Sequence, residues 1–189
     1  EHITETLSQF AEVSLSQAVE FLLRKCHERG DIELADINAP TLGSGLIVLA
    51  MGKLGALELN YSSDIDLIIF YDNHVKYTGR KTLQHCYIKL VRDLVSIMDE
   101  RTIDGYVFRM DLRLRPDPSS TPVAISTDTA IAYYESVGQN WERAAMIKAR
   151  PIAGDIKAGN HFLKDLKPYI WRKYMDFAGI QDIHSIKRQ

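Results

Sequence analysis

Three aspartates and a set of basic residues carry the chemistry that can be read from this sequence. Asp64 and Asp66 stand two apart at the head of an apolar run, a spacing that on a strand sends both carboxylates from the same face. Two like charges that close repel, and sharing a divalent cation relieves the repulsion; hard oxygen ligands with no Cys or His beside them favour Mg²⁺ or Mn²⁺ over zinc. A lone pair of acids at this spacing also opens many strands with both groups solvated. Asp111 argues against that bland reading, because it lies in a run that alternates through Arg109, Arg113 and Arg115, where a third carboxylate and several guanidinium groups share one face.

The basic residues suit an anionic partner. Arg113 and Arg115 offer the planar, bidentate donors that phosphate takes, and Gly52-Lys53, ahead of a short helical stretch, can present backbone N–H groups and an ammonium. Ser62 and Ser63 can donate to the same anion or simply shape the turn. Further along, the segment WERAAMIKAR at 141–150 adds Lys148 and Arg150 to the candidates for phosphate or nucleotide binding. This is not a Walker A loop, which needs Gly where Ile47 stands and Ser or Thr where Leu54 stands. The residues point to metal-dependent nucleotidyl transfer, with Asp64, Asp66 and Asp111 as metal ligands and catalytic groups.

The elements that must position these groups follow from periodicity. Apolar residues recur at helical spacing over 3–28, breakers fill 30–45, and 46–50 is short and wholly apolar, a buried strand. One or two helical turns suit 53–60, and a second strand suits 64–71. An amphipathic helix is expected over 79–100, followed by a strand over 106–115 with faultless period-two alternation. After a loop at 116–122, helices are expected at 127–137, 139–149 and from 155 onward, with a break near Pro168. Strands first and helices last predict an α+β fold with a small mixed sheet. The expected division is a nucleotidyltransferase core over 1–125 and a helical extension over 126–189.

Composition sets further bounds. At 189 residues and 46% hydrophobic the chain can bury one core, and a net charge of −2 does not suit a protein that mainly grips nucleic acid. No apolar run approaches the ~20 residues of a membrane helix. Two cysteines without a CxxC pattern read as free thiols in a cytoplasmic chain. The chain opens on Glu1 and ends within a helical pattern, which suggests a piece of a longer polypeptide.

The glycine turn, the paired aspartates and a distant third Asp follow the layout of the DNA polymerase β-like nucleotidyltransferases. More closely, MGKLGALELNYSSDIDL at 51–67, RMDLRLRP at 109–116 and WERAAMIKAR at 141–150 together resemble the bifunctional glutamine synthetase adenylyltransferase/adenylyl-removing enzymes, over nearly the whole chain. Ala56 departs from the glycine usual in that family. NYSSDID at 60–66 and WRKYMDF at 171–177 are more similar to the N-terminal, AMP-removing half than to the AMP-attaching half. The resemblance implies a site at Asp64, Asp66 and Asp111 that uses Mg²⁺ to remove AMP from a tyrosine of glutamine synthetase, with phosphate as acceptor and ADP as product. It also implies PII-type signalling proteins as partners of the parent enzyme. Two other readings follow: the AMP-attaching half working from ATP, and a silent nucleotide-sensing domain. An RNA-modifying enzyme ranks last, for want of a basic groove.

Overall fold

A computed structural model describes residues 2–75, 77, 79 and 81–171. Its centre is β1 (Leu46–Ala50), buried along its full length because both of its faces are covered. Leu46, Val48 and Ala50 join one apolar cluster and Ile47 and Leu49 another, so an unbroken apolar run is what this position requires. β2 (Ile65–Tyr71) runs antiparallel beside it, in register from Leu46 opposite Tyr71 to Ala50 opposite Leu67.

The mixed sheet has five strands in the order β3-β2-β1-β5, with β4 also on β2. β3 (Met110–Asp111) pairs in parallel with the start of β2 and β4 (Ala124–Ser126) in parallel with its end. β5 (Arg150–Gly154) lies antiparallel on the far side of β1. The architecture is α+β with a small mixed sheet, as expected.

One face is covered by α1 (His2–Glu28) and α3 (Leu83–Asp99). Ala11, Leu15, Ala18, Leu22 and Cys26 of α1 meet Cys86, Leu90, Val91 and Leu94 of α3 over that cluster. The other face carries α4 (Thr127–Ser136), α5 (Asn140–Met146), α6 (Ile156–Asp165) and α7 (Lys167–Ile170), where the Phe70 and Phe162 rings meet at a tilt of 49°, their centres 4.7 Å apart. The break before Pro168 falls between α6 and α7, as the sequence predicts; the expected helix beyond 171 lies outside the described residues.

Three expectations are corrected. The strand over 106–115 shrinks to two residues, because local bonds compete with the ladder: Val107 and Phe108 both donate to the Met98 carbonyl, and Arg113 N–H turns back to Asp111 Oδ1 at 2.8 Å. Its alternation records packing instead, with Phe108, Met110 and Leu112 against the first cluster and Leu114 against the second. The helix expected over 139–149 stops at Met146, and 150–154 enters the sheet as β5, whose Pro151 is tolerated on an edge. The helical stretch after Gly52 is one turn, α2 (Gly52–Gly55), which ends as Leu57 takes a left-handed φ of 61°.

The chain between α2 and β2 is tied back to α1 by a buried bond. Ser8 Oγ, fully buried, accepts from Leu59 N–H at 3.1 Å and donates to the Thr4 carbonyl at 2.8 Å. Ser8→Ala leaves the Leu59 amide unpaired and is expected to cost about 1–3 kcal/mol. Urea unfolding checks this as a lower midpoint at unchanged slope.

Candidate active site

The parallel pairing of β2 and β3 sets Asp66 directly opposite Asp111, and Asp64 lies two residues earlier on the approach to β2. The turn ahead of β2 is clamped from the β3 side: Arg109 Nε donates to Asp64 Oδ1 at 2.6 Å, its Nη2 donates to the Ser62 carbonyl at 3.0 Å, and its own carbonyl accepts from Ile65 N–H. From the β1 side, Met51 N–H donates to the Asp66 carbonyl at 2.9 Å.

Gly52 then turns the chain with φ at +50°, where a Cβ would sit 2.8 Å from Asp66 Oδ2. A glycine is required twice over, for its conformation and for the room it leaves the carboxylate. Gly55 is equally constrained, since a Cβ there would fall 2.1 Å from the Lys148 carbonyl oxygen. Lys53 reaches back from α2 to Ser63, Nζ to Oγ at 3.3 Å. With only one turn, α2 offers this site a backbone bend rather than a helix dipole.

Asp66 and Asp111 differ in proton affinity as their surroundings dictate. Burial, then the like charges of Asp111 and Asp64, push the Asp66 carboxyl above its usual range, with Arg113 and Lys53 opposing. Asp111 moves the other way: Arg113 forks it, Nε to both carboxylate oxygens at 3.0 Å and Nη2 to Oδ2 at 2.5 Å, and holds it below the usual range. The side chain of Asp111 is 16% exposed and that of Arg113 82%, so the arginine is the member free to swing away.

Among the described residues no three acidic, His or Cys side chains converge on one point, because Arg109 and Arg113 hold Asp64 and Asp111. The donor set nevertheless suits a hard divalent cation: carboxylates only, in register on paired strands, and mutually repulsive until a positive charge joins them.

Of the residues singled out in the sequence, Gly52, Lys53, Ser63, Asp64, Asp66, Asp111 and Arg113 come together here. The others are engaged elsewhere. Ser62 contributes its carbonyl to Arg109. Arg115 donates to the carbonyls of Leu112, Pro118 and Thr121 and so closes its own loop. Lys148 pairs with Glu58 at 3.0 Å. Arg150 reaches Glu12 of α1 and the Leu54 and Gly55 carbonyls, bracing the glycine turn from behind. Arg109 and Gly55 are the residues that sequence reading left unassigned; each stood in a motif already noted, as the first arginine of the alternating run and the second glycine of the turn.

A fold compatible with nucleotidyltransferases, with carboxylates of adjacent strands beside a glycine turn, defines the class. Residues 1–165 match the family model described as "Glutamate-ammonia ligase adenylyltransferase", and the chain belongs to that family. It is 59% identical over 98% of its length to the bifunctional glutamine synthetase adenylyltransferase/adenylyl-removing enzyme of Rhizobium meliloti (strain 1021). The similarly named proteins of Agrobacterium fabrum and Rhodopseudomonas palustris are 58% and 52% identical over 98% and 99% of the chain. The chain spans 19% of the length of each of these relatives.

Gly52→Ala drives a methyl group into the Asp66 carboxylate and into a disfavoured φ. Any turnover that depends on the Asp66 carboxylate should fall by about a hundredfold, the scale of an ångström-level misplacement of a reacting group, while far-ultraviolet circular dichroism stays that of the wild type. Activity within about twofold of wild type contradicts the assigned role of Gly52.

Proposed function

We propose that this chain removes AMP from an adenylylated tyrosine of glutamine synthetase by phosphorolysis, with phosphate entering and ADP leaving. The observation that carries the reading is the register of Asp66 against Asp111 with Asp64 two residues before, next to the Lys53–Ser63 pair. The names of the relatives supply the substrate: they are glutamine synthetase adenylyltransferase/adenylyl-removing enzymes. The NYSSDID run at 60–66 favours removal over attachment.

Asp64, Asp66 and Asp111 would hold Mg²⁺ or Mn²⁺, which supplies positive charge to the phosphoryl oxygens as the bond order changes. Lys53 and Ser63 hold the incoming phosphate. Arg113, released from Asp111, binds the AMP phosphoryl oxygens and offsets the repulsion between the two anions. An oxygen of inorganic phosphate forms the new P–O bond, the bond to the tyrosyl oxygen breaks, and the phenolate takes a proton from water. With a phenol pKa of ~10 that oxygen leaves without a strong general acid.

Attachment of AMP from ATP is the second reading, since the same groups serve attack of a tyrosyl oxygen on the α-phosphorus of ATP, with pyrophosphate as the leaving group. Product identity separates the two: ADP from phosphate plus modified synthetase, or pyrophosphate from ATP plus unmodified synthetase. A chain that binds nucleotide yet turns over neither mixture with a divalent ion is a nucleotide sensor instead.

Replacing both Asp64 and Asp66 with Asn should abolish phosphate-dependent ADP formation from adenylylated synthetase, followed by chromatography of the nucleotides. Retained turnover in that variant removes the site assignment. Arg113→Gln gives a less obvious result. Loss of the competing guanidinium should tighten Mn²⁺ binding by about two- to fivefold, the scale of one exposed ion pair, as turnover falls. Electron paramagnetic resonance of free Mn²⁺ reads the affinity without reference to activity, and weaker binding contradicts the exchange of partners.

A further inference from the structure

Beyond the acids, at the outer edge of β3, a cavity of about 590 Å³ opens between that strand and α3. Val91 and Val95 of α3, with Leu112 and Val123, give it apolar walls, and Asp111 stands in its lining, so it is continuous with the site. Arg92 adds a cation to the same lining and pairs with no acid among the described residues. Asp64 and Arg113 reach it from the site; the apolar wall of Val91, Val95 and Val123 is the part that the handling of phosphate does not use.

We infer that the cavity receives the phenolic ring of the tyrosine that carries, or is to receive, AMP. The inference rests on the reading of the site as one that moves AMP to or from a tyrosyl oxygen. Volume alone does not choose between a phenol and a purine; strand order does. In an in-line displacement the entering and leaving oxygens lie on opposite sides of phosphorus. Lys53, which follows β1, lies on one side of Asp66, and Asp111 on β3 lies on the other. With phosphate held by Lys53 and Ser63, the tyrosyl oxygen departs toward β3, and the ring attached to it lies beyond that strand, where the valine-walled cavity is. The direction of reaction does not alter this, because a tyrosyl oxygen that attacks the α-phosphorus of ATP approaches along the line by which it would leave. Arg92 then offers a positive charge to the phenolate oxygen.

The test fills the cavity. Val95 is half-buried on α3 in the lining of the cavity, and Val95→Trp occupies the ring's place. In the full natural polypeptide, KM for adenylylated glutamine synthetase, and for the small ester O-adenylyl-N-acetyltyrosinamide, is expected to rise about tenfold, the scale on which apolar pockets discriminate. ADP affinity by calorimetry should stay within about twofold of wild type. Val95→Ala, which cannot overfill the helix packing, should raise both KM values about threefold. Unchanged KM in both variants overturns the inference. A fall in ADP affinity with retained melting temperature also overturns it, because the cavity then holds the nucleoside. A wild-type enzyme that turns over neither substrate refutes the reading of the site itself, a result distinct from a wild type that turns over while its variants match it.

Discussion

Two carboxylates set in register on parallel strands are the constraint on which the arrangement turns. Pairing of Ile65 with Met110 and of Asp66 with Asp111 is a backbone matter, but it forces two like charges into one place, partly out of water. Such a pair persists where cations are supplied or where one member takes up a proton more readily. In this structure arginines supply them: Arg113 forks Asp111 and Arg109 holds Asp64, while Asp66, between them, keeps its proton to a higher pH than an ordinary carboxylate. Bringing in a divalent ion or an anionic substrate is then an exchange of partners within a neutralised cluster, not the creation of one.

The remainder of the fold holds that cluster in place. β1 is buried on both faces, so the position of Met51 and Gly52 at its end is fixed by packing from two sides. Arg150 ties the glycine turn to Glu12 of α1, and Ser8 ties the following loop to the same helix. The WERAAMIKAR segment works as scaffold. Glu142 is buried, accepts from Gln139 N–H at 2.8 Å and from the Tyr133 hydroxyl, and closes the capping box that starts α5. The Arg143 guanidinium lies 5.1 Å from the Tyr169 ring centre, joining α5 to α7.

Much of this was legible in the sequence, for reasons that differ from element to element. β1 was readable because a five-residue apolar run between glycines has few other uses, and α1 and α3 because their buried faces are long enough for the 3.6 period to show. β4 and β5 were not, since three residues and a strand opening on Arg150-Pro151 carry no periodic signal of their own; both are strands only because β2 and β1 offer open edges. At the site, Asp64, Asp66, Asp111, Lys53 and Ser63 were foreseeable from residue type and spacing. Which arginine serves which partner was not: Arg113 and Arg115 are alike in the alternation, and only the loop that folds back through Pro118 and Thr121 takes Arg115 away.

AMP transfer from the tyrosyl phosphodiester to inorganic phosphate is followed atom by atom in a ³¹P NMR time course on the wild-type polypeptide. With adenylylated glutamine synthetase, phosphate and Mg²⁺ together, ADP resonances should grow in as the tyrosyl phosphodiester signal decays, and omitting Mg²⁺ or phosphate should stop both. Decay of the diester to free AMP, or ADP formation that persists after chelation of all divalent ions, would contradict metal-dependent phosphorolysis.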